Sequence, residues 1–126
     1  DSYINILNQD FQNYKIILVL SSQEFSSRKL PWTLIVLQKK GLEILWITEN
    51  LKSYNKLIPV RIKFPLSKIV TFDDDIVYER WRLKILYKKS LKSPRAIIGY
   101  RGKKLKKSKN KIINEYLSWT EEATTK

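Results

Sequence analysis

The 126-residue chain has no cysteine, no histidine and no methionine, and only three glycines and four prolines. Without Cys there is no disulfide framework, no thiolate metal site and no thiol nucleophile. Without His, the side chain that most often moves protons at neutral pH is missing. Neither an H-E-x-x-H helix, a G-x-S-x-G elbow nor a phosphate-cradling glycine loop occurs. These absences weigh against an enzyme, so a non-enzymatic binding module with no cofactor and no metal is expected. The longest apolar run, Ile16–Leu20, falls far short of the ~20 residues of a membrane span. The N-terminus carries none of the regions of a signal peptide. With no Met even at position 1, a processed product or an excised piece is the expectation.

What is present is a core and an unevenly spread charge. Apolar residues make up 43% of the chain, with four Trp and seven Tyr, which suits one packed domain. The formal net charge is +13, and nearly all of it comes from one stretch. Residues 80–111 hold 14 Lys or Arg and no Asp or Glu, whereas residues 1–79 carry a net +1 and residues 112–126 a net −2. A basic excess of this kind favours an anionic membrane surface, an acidic protein or nucleic acid as partner. The expected location is cytoplasmic, peripheral to a membrane.

Along the chain, Ile4, Leu7 and Phe11 share a helical spacing, giving residues 1–13 as an arm or short helix. Tyr14–Ser21 reads as a buried strand and Ser21–Trp32 as a loop closed by Leu30-Pro31. Thr33–Lys39 and Leu42–Ile47 read as a hairpin turning at Lys39-Lys40-Gly41, with Gly41 left-handed. Thr48–Pro59 follows as a loop. Val60–Phe64 alternates between Pro59 and Pro65 as an edge strand, and Ser67–Phe72 is the next strand. Ile76–Lys88 alternates Trp81, Leu83, Ile85 and Tyr87 against Arg80, Arg82, Lys84 and Lys88, as a long strand with a cationic face. Lys88–Arg95 is a loop, Ala96–Arg101 a seventh strand and Gly102–Lys107 a basic linker. Ser108 caps a helix to about Trp119, with Ile112, Ile113 and Tyr116 on its apolar side.

This order resembles the pleckstrin-homology-like superfamily, including its GRAM-type members. The residues that carry the resemblance are the opening strand Tyr14–Leu20, the hairpin Thr33–Ile47, the phrase Phe64-Pro65-Leu66-Ser67-Lys68-Ile69 and Trp119 in the closing helix. The resemblance implies a mainly β fold, a seven-stranded antiparallel bent barrel over residues 14–119 closed by a C-terminal amphipathic helix, with 120–126 as a tail. It also implies that three loops gather at the open end and bind acidic groups. Those loops hold Arg28 and Lys29, then Lys52 and Lys56, then Lys88, Lys89, Lys92 and Arg95. The family's phosphoinositide motif is met by Lys15 and Arg28-Lys29-Leu30, without its last basic residue.

Three other constellations have plainer readings. Asp73-Asp74-Asp75 suits a solvated turn better than a metal site, because successive strand residues point to opposite faces. Trp46 and Trp81 fall among Leu and Ile as core residues, which leaves Trp32 as the one candidate stacking platform. The run Arg101, Lys103, Lys104, Lys106, Lys107, Lys109 and Lys111 leads into a helix N-terminus, where the macrodipole disfavours cations. It is either a solvated linker or an anion-binding patch. The functional expectation is an adaptor module recruited to an anionic membrane surface or an acidic protein. The alternative is sequence-nonspecific nucleic-acid binding, with Arg82 and Lys84 joining that run against phosphates.

Overall fold

A computed structural model describes residues 2–104, 107–108, 111–112 and 120–122. Two compact units divide the chain, residues 1–82 and 83–126. In the first unit, strands β1 (Ile16–Ser21) and β2 (Leu42–Ile47) pair in parallel, in register from Ile16 opposite Leu42 to Ser21 opposite Ile47. Parallel neighbours cannot be joined by a tight turn and need a crossover. Helix α2 (Trp32–Lys39) lies within that crossover. The Pro31 carbonyl accepts the N–H groups of Leu34 and Ile35 at 3.0 and 3.3 Å, and the Gly41 N–H donates to the Gln38 carbonyl at 3.0 Å to close the last turn. Gly41, at φ +102°, then turns the chain into β2.

The expected hairpin is therefore corrected. Gly41 is left-handed as expected, but it ends a helix instead of joining two antiparallel strands. Thr33, Ile35 and Val36 favour strand intrinsically, and the demand for a crossover outweighs that weak preference.

The remaining elements of this unit are short. Helix α1 (Ser2–Leu7) precedes β1. Gln9 is buried, and its Nε2 donates to the carbonyls of Asn5 and Glu79, both at 3.1 Å. The Asp10 N–H donates to the Arg80 carbonyl at 2.7 Å, so the N-terminal segment is tied to residues 79–80. A 3₁₀ turn at Lys52–Lys56 leads to α3 (Ile58–Lys63), with Pro59 in its first turn, where a missing N–H costs nothing. The strand expected at Val60–Phe64 is thus mostly helix. Val60 is buried, but Ile62 is 76% exposed, so the alternation marks no buried sheet face. The strand expected at Ser67–Phe72 is irregular backbone, and Asp74-Asp75 forms a turn. The core residues here are Ile6, Leu42, Val60 and Tyr78.

Helix α4 (Arg82–Lys92) replaces the second half of the expected long strand and most of the expected Lys88–Arg95 loop. Arg, Leu and Lys are good helix formers. Leu86 also breaks the alternation, while Leu83, Leu86, Tyr87 and Ser90 fall on one helical side. Residues 97–99, in the expected seventh strand, are irregular. Strands β3 (Gly102–Lys104) and β6 (Thr120–Glu122) pair antiparallel, as do β4 (Lys107–Ser108) and β5 (Lys111–Ile112). The helix expected from Ser108 is overturned at Ser108, Lys111 and Ile112. Ile113, Tyr116 and Trp119 lie outside the described residues.

The seven-stranded antiparallel barrel is contradicted as a whole. The described residues form one parallel two-stranded sheet, four α-helices and two small antiparallel ladders.

Candidate anion-binding site

In open α/β sheets, ligands bind outside the carboxyl ends of parallel strands. In the first unit those ends are Ser21 and Ile47, and the loops that follow them are laced together. Ser21 is almost wholly buried, and its Oγ accepts the Gln23 N–H at 3.2 Å. Ser22 donates to the Ile47 carbonyl from its backbone N–H at 2.9 Å and from its Oγ at 3.1 Å. Asn50 Nδ2 donates to the Glu24 carboxylate and bridges the two loops. Asn50 Oδ1 accepts the Lys52 N–H at 2.8 Å and Asn55 Nδ2 at 3.0 Å, while Asn55 Oδ1 accepts the Leu51 N–H at 2.8 Å. This pair of asparagines fixes the second loop.

Trp46, half-buried near the end of β2, is where the loops meet. The ring of Phe25 stands edge-on to it at 6.2 Å, and the Arg28 guanidinium lies 5.5 Å from its centroid. A groove of about 330 Å³ opens beside it, lined by Trp46, Ile47, Thr48, Glu49, Leu51, Ile58, Pro59 and Ile62. Lys52 and Lys56 lie on the segment joining two of its walls, between Leu51 and Ile58.

Arg28 and Lys52 both have left-handed backbone, at φ 50° and 55°. A non-glycine residue there costs about 1 kcal/mol or more and persists only where its surroundings hold it. Both are cations, and both stand in loops at the same end of the sheet. Local strain of this kind gathers at ligand sites.

Lys56 forms an ion pair with Asp73. Its pKa is raised above the ordinary value near 10.5, first by the hydrogen bond to the Asp73 carboxylate, against a smaller opposing effect of burial, with further attraction from Asp73 and Asp74. The Asp73 N–H donates to the Tyr78 hydroxyl at 2.8 Å, and the Phe72 and Tyr78 rings meet edge-on at 4.6 Å. The acidic turn is thereby closed on itself and tied by Lys56 to the loop after β2. Among the described residues, no three His, Cys, Asp or Glu side chains gather in a way that could hold a metal ion.

The residues expected to bind anions separate into two sets. Arg28, Lys29, Lys52 and Lys56 lie in the two laced loops of the first unit. Lys88, Lys89 and Lys92 are on α4, with Arg95 just beyond it. Of the alternative set, Arg82 pairs with Glu79 at 2.8 Å, and Lys84 is exposed on α4. Arg101 is exposed; Lys103 and Lys104 fall in β3, Lys107 in β4 and Lys111 in β5; Lys106 and Lys109 lie outside the described residues. Arg80, expected on a cationic sheet face, pairs with Asp10 at 3.0 Å, and its Nε donates to the Asn8 carbonyl at 3.2 Å. Trp32 is 72% exposed at the start of α2.

Sequence reasoning missed Trp46, Asn50 and Asn55 as site residues. The signal for the two asparagines was their turn chemistry in a loop already recognised. Nothing in the residues around Trp46 marked it as the meeting point of the loops.

No protein-family model, no curated protein and no solved structure matches this chain. Among the described residues, no helix is long and apolar enough to cross a membrane.

Proposed function

We propose that this chain is an anion-binding module whose first unit takes a phosphorylated small molecule of the nucleotide class at the carboxyl ends of β1 and β2. The observation that carries the reading is that Arg28 and Lys52, both on strained left-handed backbone, stand in two loops laced together at the same end of the sheet, with Arg28 over Trp46. A phosphate accepts charge-assisted hydrogen bonds from such cations, each contributing about 1.5–3 kcal/mol. The groove walls of Trp46, Leu51, Ile58 and Pro59 offer apolar and aromatic surface to a flat ring. Its volume of about 330 Å³ is at the lower end for small-ligand sites. The reading is one of binding, without catalysis.

Calorimetric titration of a panel of nucleoside di- and triphosphates, with and without Mg²⁺, tests this. The expected result is binding that weakens at least roughly tenfold in the Arg28→Ala/Lys52→Ala double variant, and at least tenfold when the phosphates are absent from the ligand. Affinity indifferent to both changes, or no binding at millimolar nucleotide, overturns the reading.

A second reading concerns the charge of residues 80–111. It is recruitment to an anionic membrane surface or an acidic protein, at a cytoplasmic location, with nucleic acid as the alternative partner. Helix α4 favours it: Lys84, Lys88, Lys89 and Lys92 are exposed, and none has an acidic partner among the described residues.

A further inference from the structure

Helix α4 sorts its residues sharply. Lys84, Lys88 and Lys92 recur every four positions and form a ridge about 12 Å long. Tyr87 and Leu91, also four apart, run alongside it, and remain 38% and 56% exposed. Leu83, on the far side of Tyr87 from the ridge, is buried. The order around the helix is thus a buried side, a strip of exposed apolar residues, then cations. Such a boundary suits an interface where hydrocarbon meets charge.

We infer that α4 docks on an anionic lipid surface, resting on the reading that the basic stretch meets an anionic partner. The three ridge lysines meet the headgroup charge while Leu91 and the Tyr87 ring enter the boundary below it. Lysine stems extend toward the headgroups without drawing the apolar strip out of the boundary. A nucleic-acid backbone also attracts the ridge, but it offers nothing apolar to Leu91. Leu91 is therefore the residue that distinguishes a bilayer from a polyphosphate chain.

The test measures co-sedimentation at low salt with phosphatidylcholine vesicles, with and without phosphatidylserine, and in parallel the binding of a random-sequence single-stranded oligonucleotide. The intact chain partitions onto the anionic vesicles only. Lys84→Gln/Lys88→Gln/Lys92→Gln lowers that partition roughly hundredfold, since each lysine near an anionic bilayer contributes about fivefold. Leu91→Ser lowers it about fivefold and leaves oligonucleotide binding unchanged. Because the chain has no cysteine, Leu91→Cys accepts a single environment-sensitive fluorophore, whose emission shifts to the blue with anionic vesicles and not with neutral ones. Lysine-dependent oligonucleotide binding, with vesicle binding indifferent to Leu91→Ser and no blue shift, overturns the lipid inference and leaves the polyanion reading standing. Binding to neither probe overturns both.

Discussion

Two regions of this chain differ in whether any of their cations are paired with acids. In residues 1–82, Lys15 pairs with Glu43 at 2.8 Å, Lys56 with Asp73, Arg80 with Asp10 and Arg82 with Glu79, while Arg28 lies over Trp46. On α4, four lysines stand in water with no acidic partner among the described residues, and no Asp or Glu occurs between residues 80 and 111. Exposed ion pairs contribute about 0–1 kcal/mol each, so pairing in the first region orders loops more than it stabilises them. Unpaired lysines close together on one helix repel and add nothing to folding.

The comparison is broken most severely through neutral packing. If the first region is held by burial and not by its ion pairs, truncating a buried apolar side chain must cost far more than removing a charge. Leu42 is 3% exposed and stands opposite Ile16 in the parallel pair. Leu42→Ala is expected to lose about 2–4 kcal/mol in urea denaturation followed by circular dichroism. A loss under ~1 kcal/mol would show that the β1–β2 pair is not the organising core.

A smaller effect, of opposite sign, sharpens the contrast between cations that serve the fold and cations that serve a ligand. Lys52→Gly relieves the left-handed backbone at φ 55° and is expected to stabilise the chain by about 0.5–1 kcal/mol. The same change removes a cation from the proposed nucleotide site, so affinity falls while stability rises. A parallel fall in both would make Lys52 a structural residue, and the strain would have no ligand to explain it.

How much of this was legible in the residues depends on length. The apolar run at Ile16–Leu20 and the segment Leu42–Ile47 read correctly as strands, because each is long enough and bounded by turn formers. Their parallel pairing was not legible, since nothing in either strand states the direction of its neighbour. Val60–Phe64 alternates over only five residues, too few to separate a period of 2 from one of 3.6, and Pro59 in a helical first turn decided the outcome. At residues 81–87 the misreading had a visible sign, because Leu86 is apolar where a half-buried strand needs a polar residue. The loops bearing Arg28, Lys29, Lys52 and Lys56 were expected together at the open end of a barrel. They are neighbours for a different reason, as the carboxyl-end loops of a parallel pair. Trp46 was read only as a core residue, and Asn50 escaped notice, because their roles depend on that pairing.

The smallest effect tests whether the acidic turn belongs to the first region's paired charges. The hydrogen bond from Lys56 to Asp73 is the largest cause of the raised Lys56 pKa. Asp73→Asn removes the carboxylate charge, leaving only a neutral acceptor for that bond, and should move that pKa back toward the ordinary lysine value. With side chains 43% and 53% exposed, the pair is screened, and the loss in stability is expected to be at most about 1 kcal/mol. The pH dependence has a definite sign. A lysine whose folded pKa is raised contributes its full stabilisation below the unfolded value and loses it as pH rises through the folded one. The difference between the intact chain and Asp73→Asn should therefore be flat from pH 7 to 9 and shrink only above the ordinary lysine value near 10.5. Denaturation curves at pH 7, 9 and 11 measure it. A difference that already changes between pH 7 and 9 would mean that another group titrates against Asp73. The turn would then stand apart from the paired charges of the first region.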